Sequence, residues 1–250
     1  MRDIKAIMLV GGLGTRLRSV VPSSPKVLAS IGEKSFLELL VCQLRSQGIR
    51  RLVMCTGYLA DQIESKFGDG RGWDVSIEYS KEEIPLGTAG AVKLAQRYLR
   101  DVPEFLVLNG DSFLDVDFQS LMAFHLGHDG AIATMAVLRV ENASRYGTVH
   151  LDANARVTGF AEKSGSEVPG LVNGGIYIFN YSVLQHIPEG TASLEKDVFP
   201  RLLDQGVYAQ EQYGMFIDIG TPADYARAQE LLRPLSEAGA RPKLAADMGN

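Results

Sequence analysis

Gly11-Gly12-Leu13-Gly14-Thr15-Arg16 follows an apolar run from Ile4 to Val10, and Pro25-Lys26 stands a short loop beyond it. Residue types in that order can capture phosphates. Glycines let backbone N–H groups approach an anion closely, and one arginine and one lysine supply the charge that backbone cannot. Two distant aspartates extend the chemistry. Asp111 lies in Leu108-Asn109-Gly110-Asp111-Ser112 and Asp218 in Asp218-Ile219-Gly220-Thr221-Pro222. Each alone also reads as a turn or cap aspartate. Together they offer hard oxygen ligands for Mg²⁺, which takes one or two carboxylates plus substrate phosphates. The glycine loop is not a Walker A loop, because no Gly-Lys-Ser/Thr follows at the required spacing. It is not the dinucleotide fingerprint either, because Leu17 stands where the third glycine belongs.

Two further segments suit a ligand with a flat base or many hydroxyls. Leu86-Gly87-Thr88-Ala89-Gly90-Ala91 opens a helix with small residues, which equally suit close helix–sheet packing. Glu162-Lys163 and Asn173-Gly174-Gly175 supply a carboxylate, an amine and bare backbone, although Glu162-Lys163 alone reads as a solvated pair. His125 and His128 share a helix face but lack a third metal ligand, and read as surface residues. Cys42 and Cys55 lie outside any metal-ligand spacing and read as reduced, packed thiols.

These groups need a scaffold that brings loop ends together. In the first half, strand-type and helix-type segments alternate: strands at 4–10, 52–56, 75–79, 105–109 and 132–140, helices at 35–48, 60–67, 88–99 and 116–126. The helix from Ser35 carries a capping box with Glu38. Such alternation implies a parallel sheet covered on both faces, with ligands at the carboxyl ends of its strands. After residue 140 the rhythm changes to closely spaced strands at 148–151, 157–162 and 172–179. Short helices near 181–186 and 195–203 and strands near 208–210 and 215–219 follow. Thr221-Pro222 with Asp224 starts a last helix that runs to about Leu232. The reading is one domain over 1–232 and a flexible tail over 233–250.

The bulk numbers set the class. The chain has 250 residues, 46% hydrophobic and 22% charged, with a net charge of −5. That is ordinary globular composition. The acidic balance argues against nucleic acid as a partner, while leaving room for a locally basic pocket for a small anion. Met1-Arg2-Asp3-Ile4-Lys5 opens no secretory signal pattern, and no stretch reaches a membrane-spanning length. The expectation is a cytoplasmic protein with no membrane partner.

With these pieces in order, the chain resembles the sugar-1-phosphate nucleotidyltransferases over residues 1–232. The family hallmark GGxGTRL…PK reads here as Gly11 to Leu17 and Pro25-Lys26. LGTAGA, Asn109-Gly110-Asp111, Tyr146-Gly147, Glu162-Lys163 and Asn173-Gly174-Gly175 occur in the family's order. The stretch 48–91 looks most like the heptose-1-phosphate guanylyltransferase branch. Mannose-1-phosphate guanylyltransferases and glucose-1-phosphate thymidylyl- or uridylyltransferases are close alternatives. One departure is Arg18-Ser19-Val20-Val21, where Pro-Leu-Thr is usual.

The resemblance implies a Rossmann-like, doubly wound, mostly parallel α/β sheet with a smaller inserted sugar-binding β part. It implies that Leu9, Gly11, Gly12, Gly14, Thr15, Arg16, Gly87 and Thr88 hold the nucleotide, with Arg16 and Lys26 gripping its triphosphate. Asp111 and Asp218 would bind Mg²⁺. Gly110, Gly147, Glu162, Lys163, Asn173 and Lys196 would hold the sugar phosphate. A homodimer is left open. The implied reaction is attack of a sugar 1-phosphate on the α-phosphorus of a nucleoside triphosphate, for surface polysaccharide precursors. It needs no general base, because a phosphomonoester with a second pKa of about 6 is largely a dianion at neutral pH. Guanine offers paired N–H donors that suit a carboxylate, so Glu82 or Glu83 is expected to read the base of GTP. A non-catalytic nucleotide-sugar sensor would share the pocket but has no need of both aspartates and the lysine. A nicotinamide oxidoreductase is disfavoured by the broken fingerprint.

Overall fold

The structure is a computed structural model that describes residues 4–161 and 167–237. The chain runs β1 (Lys5–Leu9), β2 (Ser30–Ile31), β3 (Lys34–Ser35), α1 (Phe36–Ser46), β4 (Arg51–Thr56), α2 (Ala60–Phe67), β5 (Ser76–Lys81) and α3 (Gly87–Leu94). It continues through β6 (Glu104–Asn109), β7 (Ser112–Leu114), α4 (Phe118–Leu126), β8 (Ala133–Val140), β9 (Thr148–Leu151), β10 (Val157–Ala161) and β11 (Gly170–Asn180). It closes with α5 (Phe199–Leu202), β12 (Val207–Gln212), β13 (Phe216–Asp218) and α6 (Pro222–Glu237).

The main run of the sheet is β5-β4-β1-β6-β11-β8-β12. β5, β4, β1 and β6 pair in parallel, β11 is antiparallel to both its neighbours, and β12 is parallel to β8. The sheet is therefore mostly parallel, with β11 as the reversed member of that run. β9 joins the first half of β11, and β10 joins β9, as a small antiparallel extension. This is the expected α/β architecture with its smaller β part.

Alternation along each strand divides the interior into two layers. Ala6, Met8, Leu52, Met54, Leu106, Leu108, Ile176 and Ile178 pack on one face, with residues of α1, α2, α4 and α6. Ile7, Val53, Phe105, Val107, Tyr177 and Phe179 pack on the other, with residues of α3 and α5. Successive strand side chains point to opposite faces, so continuously apolar strands serve both layers at once.

The capping box at Ser35 forms as expected: the Ser35 N–H donates to Glu38 Oε2 at 2.6 Å. Lys66 of α2 pairs with the same carboxylate at 2.5 Å. Burial raises the Glu38 pKa, but the bonds from Lys66 and Ser35 outweigh it and hold the group below its ordinary value. Four expectations are corrected. The helix expected over 88–99 divides into α3 and a 3₁₀ stretch, Ala95–Tyr98. The one near 195–203 divides into a π-turn, Leu194–Val198, and α5, because Pro200 has no N–H for a regular ladder. α6 continues past Leu232 to Glu237 despite Pro234. Gln229 and the Tyr225 hydroxyl bond Ser30 O, and Lys34 bonds Ser236 O, so the β2–β3 hairpin holds that helical turn. Residues 238–250 of the predicted tail lie outside the described residues. His125 is not on the surface: it is 3% exposed, and its Nδ1 lies 2.8 Å from Thr134 Oγ1. Among the described residues no helix is long and apolar enough to cross a membrane.

Candidate active site

A cleft of about 290 Å³ opens at the carboxyl ends of β1, β4 and β6. Leu9, Gly11, Gly12, Leu13, Cys55, Glu82, Pro85, Gly87, Thr88, Ala91, Asn109 and Asp111 line it. The place follows from topology, since parallel strands leave their carboxyl ends and the loops between helices free for ligands.

The glycine loop and Lys26 are fitted to each other. Gly14 has φ +59°, and a Cβ there would lie 2.9 Å from Lys26 Cβ. Only glycine allows the loop and the lysine turn, Lys26–Leu28, to close on one another. Lys26 then reaches into the cleft wall, where its Nζ donates to Asp111 Oδ2 at 2.7 Å. Its side chain is 10% exposed, and that of Asp111 is 43% exposed.

Asp218 comes to the same place through a two-stranded ladder. β13 pairs with β7 so that Asp218 faces Ser112, and the Ile219 N–H donates to Asp111 O at 2.9 Å. Sequence reading missed β7, whose three residues show no periodicity of their own. Asp218 Oδ1 accepts from the Gly220 N–H at 2.7 Å. A Cβ on Gly220 would lie 3.6 Å from Arg16 Nη2, so the arginine of the first loop reaches the turn that follows Asp218. Asp111 in the turn between β6 and β7, and Asp218 at the end of β13 with one oxygen that has no hydrogen-bond partner among the described residues, form a donor set that fits a hard divalent cation completed by phosphate and water oxygens. No third acid, histidine or cysteine joins them among the described residues.

Glu82 and Glu83 separate clearly. Glu82 lines the cleft, and a Cβ on Gly11 would lie 3.1 Å from its Oε1. Its Oε2 accepts the Leu86 N–H at 3.0 Å. Burial raises its pKa, and the Leu86 bond partly offsets that. Glu83 is exposed and outside the cleft lining. Gly110 backs onto β1, its N–H donating to Leu9 O at 3.0 Å.

The residues expected to hold the sugar phosphate are less concentrated. Asn173 sits at a bulge in β11: its Oδ1 accepts the Gly175 N–H at 2.9 Å, and its Nδ2 donates to the Tyr177 hydroxyl at 2.7 Å. Gly147 faces Ala161 at the start of the β9–β10 extension. Neither lines the cleft. Lys196 is exposed on the π-turn and also lies away from the lining. Glu162 and Lys163 lie outside the described residues.

Sequence reading missed Glu195, although it names the neighbouring Lys196. Glu195 accepts from Thr88 Oγ1 at 3.1 Å, Ser193 Oγ at 2.8 Å and the Tyr177 hydroxyl at 3.2 Å. It thus ties the opening of α3 to the bulge that carries Asn173. A π-turn, common at functional sites, was the available signal, but it is invisible without backbone geometry.

The profile of nucleotidyl transferases matches residues 5–234. The chain belongs to the nucleotidyl transferase family. Among nucleotidyl transferases it is 38% identical to the D-glycero-alpha-D-manno-heptose 1-phosphate guanylyltransferase of Aneurinibacillus thermoaerophilus, covering 92% of this chain and 99% of that one. It is 40% identical to the mannose-1-phosphate guanylyltransferase catalytic subunit beta of Drosophila pseudoobscura pseudoobscura, covering 88% of this chain. The chain spans about 60% of the length of that relative and of others with similar names. HddC from Yersinia pseudotuberculosis superposes with a TM-score of 0.81 at 32% identity, over 91% of this chain and 98% of that one. HddC has also been solved in complex with GMP-PN.

Proposed function

We propose that this chain transfers GMP from GTP to a manno-configured sugar 1-phosphate, a manno-heptose 1-phosphate in the first instance, and releases pyrophosphate. The observation that carries the reading is the meeting of the glycine loop and Asp111 in one cleft at the carboxyl ends of parallel strands, with Lys26 paired to Asp111 and Asp218 on the ladder beside it. The 38% identity to the heptose guanylyltransferase supports the heptose reading.

In the proposed reaction a phosphate oxygen of the sugar 1-phosphate attacks the α-phosphorus of GTP. The new O–P bond forms as the bond from the α-phosphorus to the bridging oxygen of pyrophosphate breaks. The phosphate dianion is already a nucleophile, so the difficulty is repulsion between two polyanions. Arg16 and Lys26 neutralise the triphosphate, and Lys163 does the same for the sugar phosphate. Backbone N–H groups of the glycine loop orient the chain of phosphates. Glu82 accepts the ring N–H and exocyclic amine of guanine, an exchange that favours its charged form. Mg²⁺ held by Asp111 and Asp218 would draw negative charge off the phosphate oxygens.

A pyrophosphate-release assay with Mg²⁺, run with GTP, UTP, dTTP and CTP against heptose, mannose and glucose 1-phosphates, tests this reading. The expected maximum is GTP with manno-heptose 1-phosphate. A preference for a pyrimidine triphosphate overturns the guanine assignment, and tight binding of a nucleotide sugar without turnover supports a sensor instead.

A further inference from the structure

We propose that the side-chain amide of Asn109 reads the hydroxyl next to the phosphate-bearing carbon of the sugar substrate. This rests on the transferase reading above and names the group behind its choice of sugar. Asn109 is the last residue of β6 and lines the cleft with Leu9, Thr88 and Asp111. Its Oδ1 is buried and has no hydrogen-bond partner among the described residues. An amide left in that state costs stability, because its oxygen has given up water without gaining a partner. Buried polar groups in folded proteins nearly always have partners, and an exception facing a ligand cleft is one that the ligand completes.

The surroundings keep the amide in place without satisfying it. Gly175 has φ +73°, and a Cβ there would lie 2.9 Å from Asn109 Nδ2 and 3.2 Å from its Cγ. The β11 bulge is thus hollowed to admit this side chain, next to the Asn173–Tyr177–Glu195 chain of hydrogen bonds. Asn109 and Asp111 are two residues apart, so their Cα atoms are at most about 7–8 Å from each other. With the sugar phosphate drawn up beside Asp111 for attack on the α-phosphorus, the amide reaches the hydroxyl on the neighbouring carbon, and the far side of the sugar lies beyond it. Manno and gluco sugars differ at that carbon. One amide presents both a donor and an acceptor, which fits a hydroxyl that does both.

The test measures kcat/KM at saturating GTP for mannose 1-phosphate, manno-heptose 1-phosphate and their 2-deoxy analogues, in the wild type, Asn109→Leu and Asn109→Ala. The wild type is expected to prefer each hydroxylated substrate over its deoxy analogue by about tenfold or more. Both variants bring the pair to within about threefold, through KM for the sugar phosphate, while KM for GTP changes by less than about twofold. Asn109→Ala needs less space than asparagine and serves if Asn109→Leu does not fold. A folded variant that keeps the wild-type preference, or a wild type that shows none, overturns the assignment. Failure of the wild type to transfer to any sugar 1-phosphate overturns the transferase reading itself, and this assignment with it.

Discussion

Lys26 holds its ammonium 2.7 Å from Asp111 in a side-chain environment that is nearly closed to water. Its stem packs beside Gly14, so the charge is fixed before any ligand arrives. Fixed charge needs no reorganisation when a polyanion reacts, which is where such groups contribute most. Lys26→Ala is expected to lower turnover on the order of 100-fold or more, with the circular dichroism spectrum unchanged. Near-normal turnover in the folded variant would remove the lysine from the mechanism. At this scale the sequence was eloquent about motif residues and silent about their supports. Gly11, Gly12, Gly87, Thr88 and Asp111, all named from their motifs, line one cleft. The choice between Glu82 and Glu83 was beyond reach, because strand β5 ends just before them and only geometry decides which one turns inward. Glu195 and Asn109 were passed over, because a lone Glu or Asn carries no spacing signal.

The elements position these groups through two short pieces that hydrophobic periodicity cannot reveal. One is the loop joining Gly14 to Lys26, with 3₁₀ turns at Thr15–Leu17 and Lys26–Leu28. The other is the β7–β13 ladder, whose strands have three residues each. The longer elements were legible for physical reasons: α1 has its capping box and Gly48 at φ +82° beyond its end, and β1, β4 and β6 have apolar middles. A ladder between residues a hundred positions apart leaves no local trace. The loop supplies a clean experiment. Gly14→Ala places a methyl group in a left-handed conformation and against Lys26 Cβ, at a cost of about 1–2 kcal/mol. The variant is expected to melt lower by a few degrees. It should also lose turnover about tenfold or more, since displacing a positioned group is costly to rate. Wild-type turnover in a folded Gly14→Ala protein would show that the contact does not set the place of Lys26.

At the scale of the whole molecule, one sheet carries two apolar layers, and His125 is buried at the rim where α4 meets β8. Burial, followed by the charge of His128, depresses the His125 pKa to about 4. An unfolded chain takes up that proton near pH 6.5, so the folded state binds fewer protons between those values. Stability is therefore complete above pH 6.5 and falls as the pH drops, by up to about 1.4 kcal/mol per pH unit. Urea midpoints between pH 6.5 and 5, above the range where carboxylates titrate, should show this slope, and His125→Gln should flatten it. A slope that persists in a folded His125→Gln protein would assign the effect to other groups. The sequence placed both histidines outside, because helical spacing shows that they share a face but not which neighbour covers it.

The β7–β13 ladder has a bearing on how the protein is made. The glycine loop and Lys26 leave the ribosome well before Asp218 does. A nascent chain therefore carries Arg16 and Lys26 long before it carries the second acid. No shortened product ending before β13 can carry the finished arrangement.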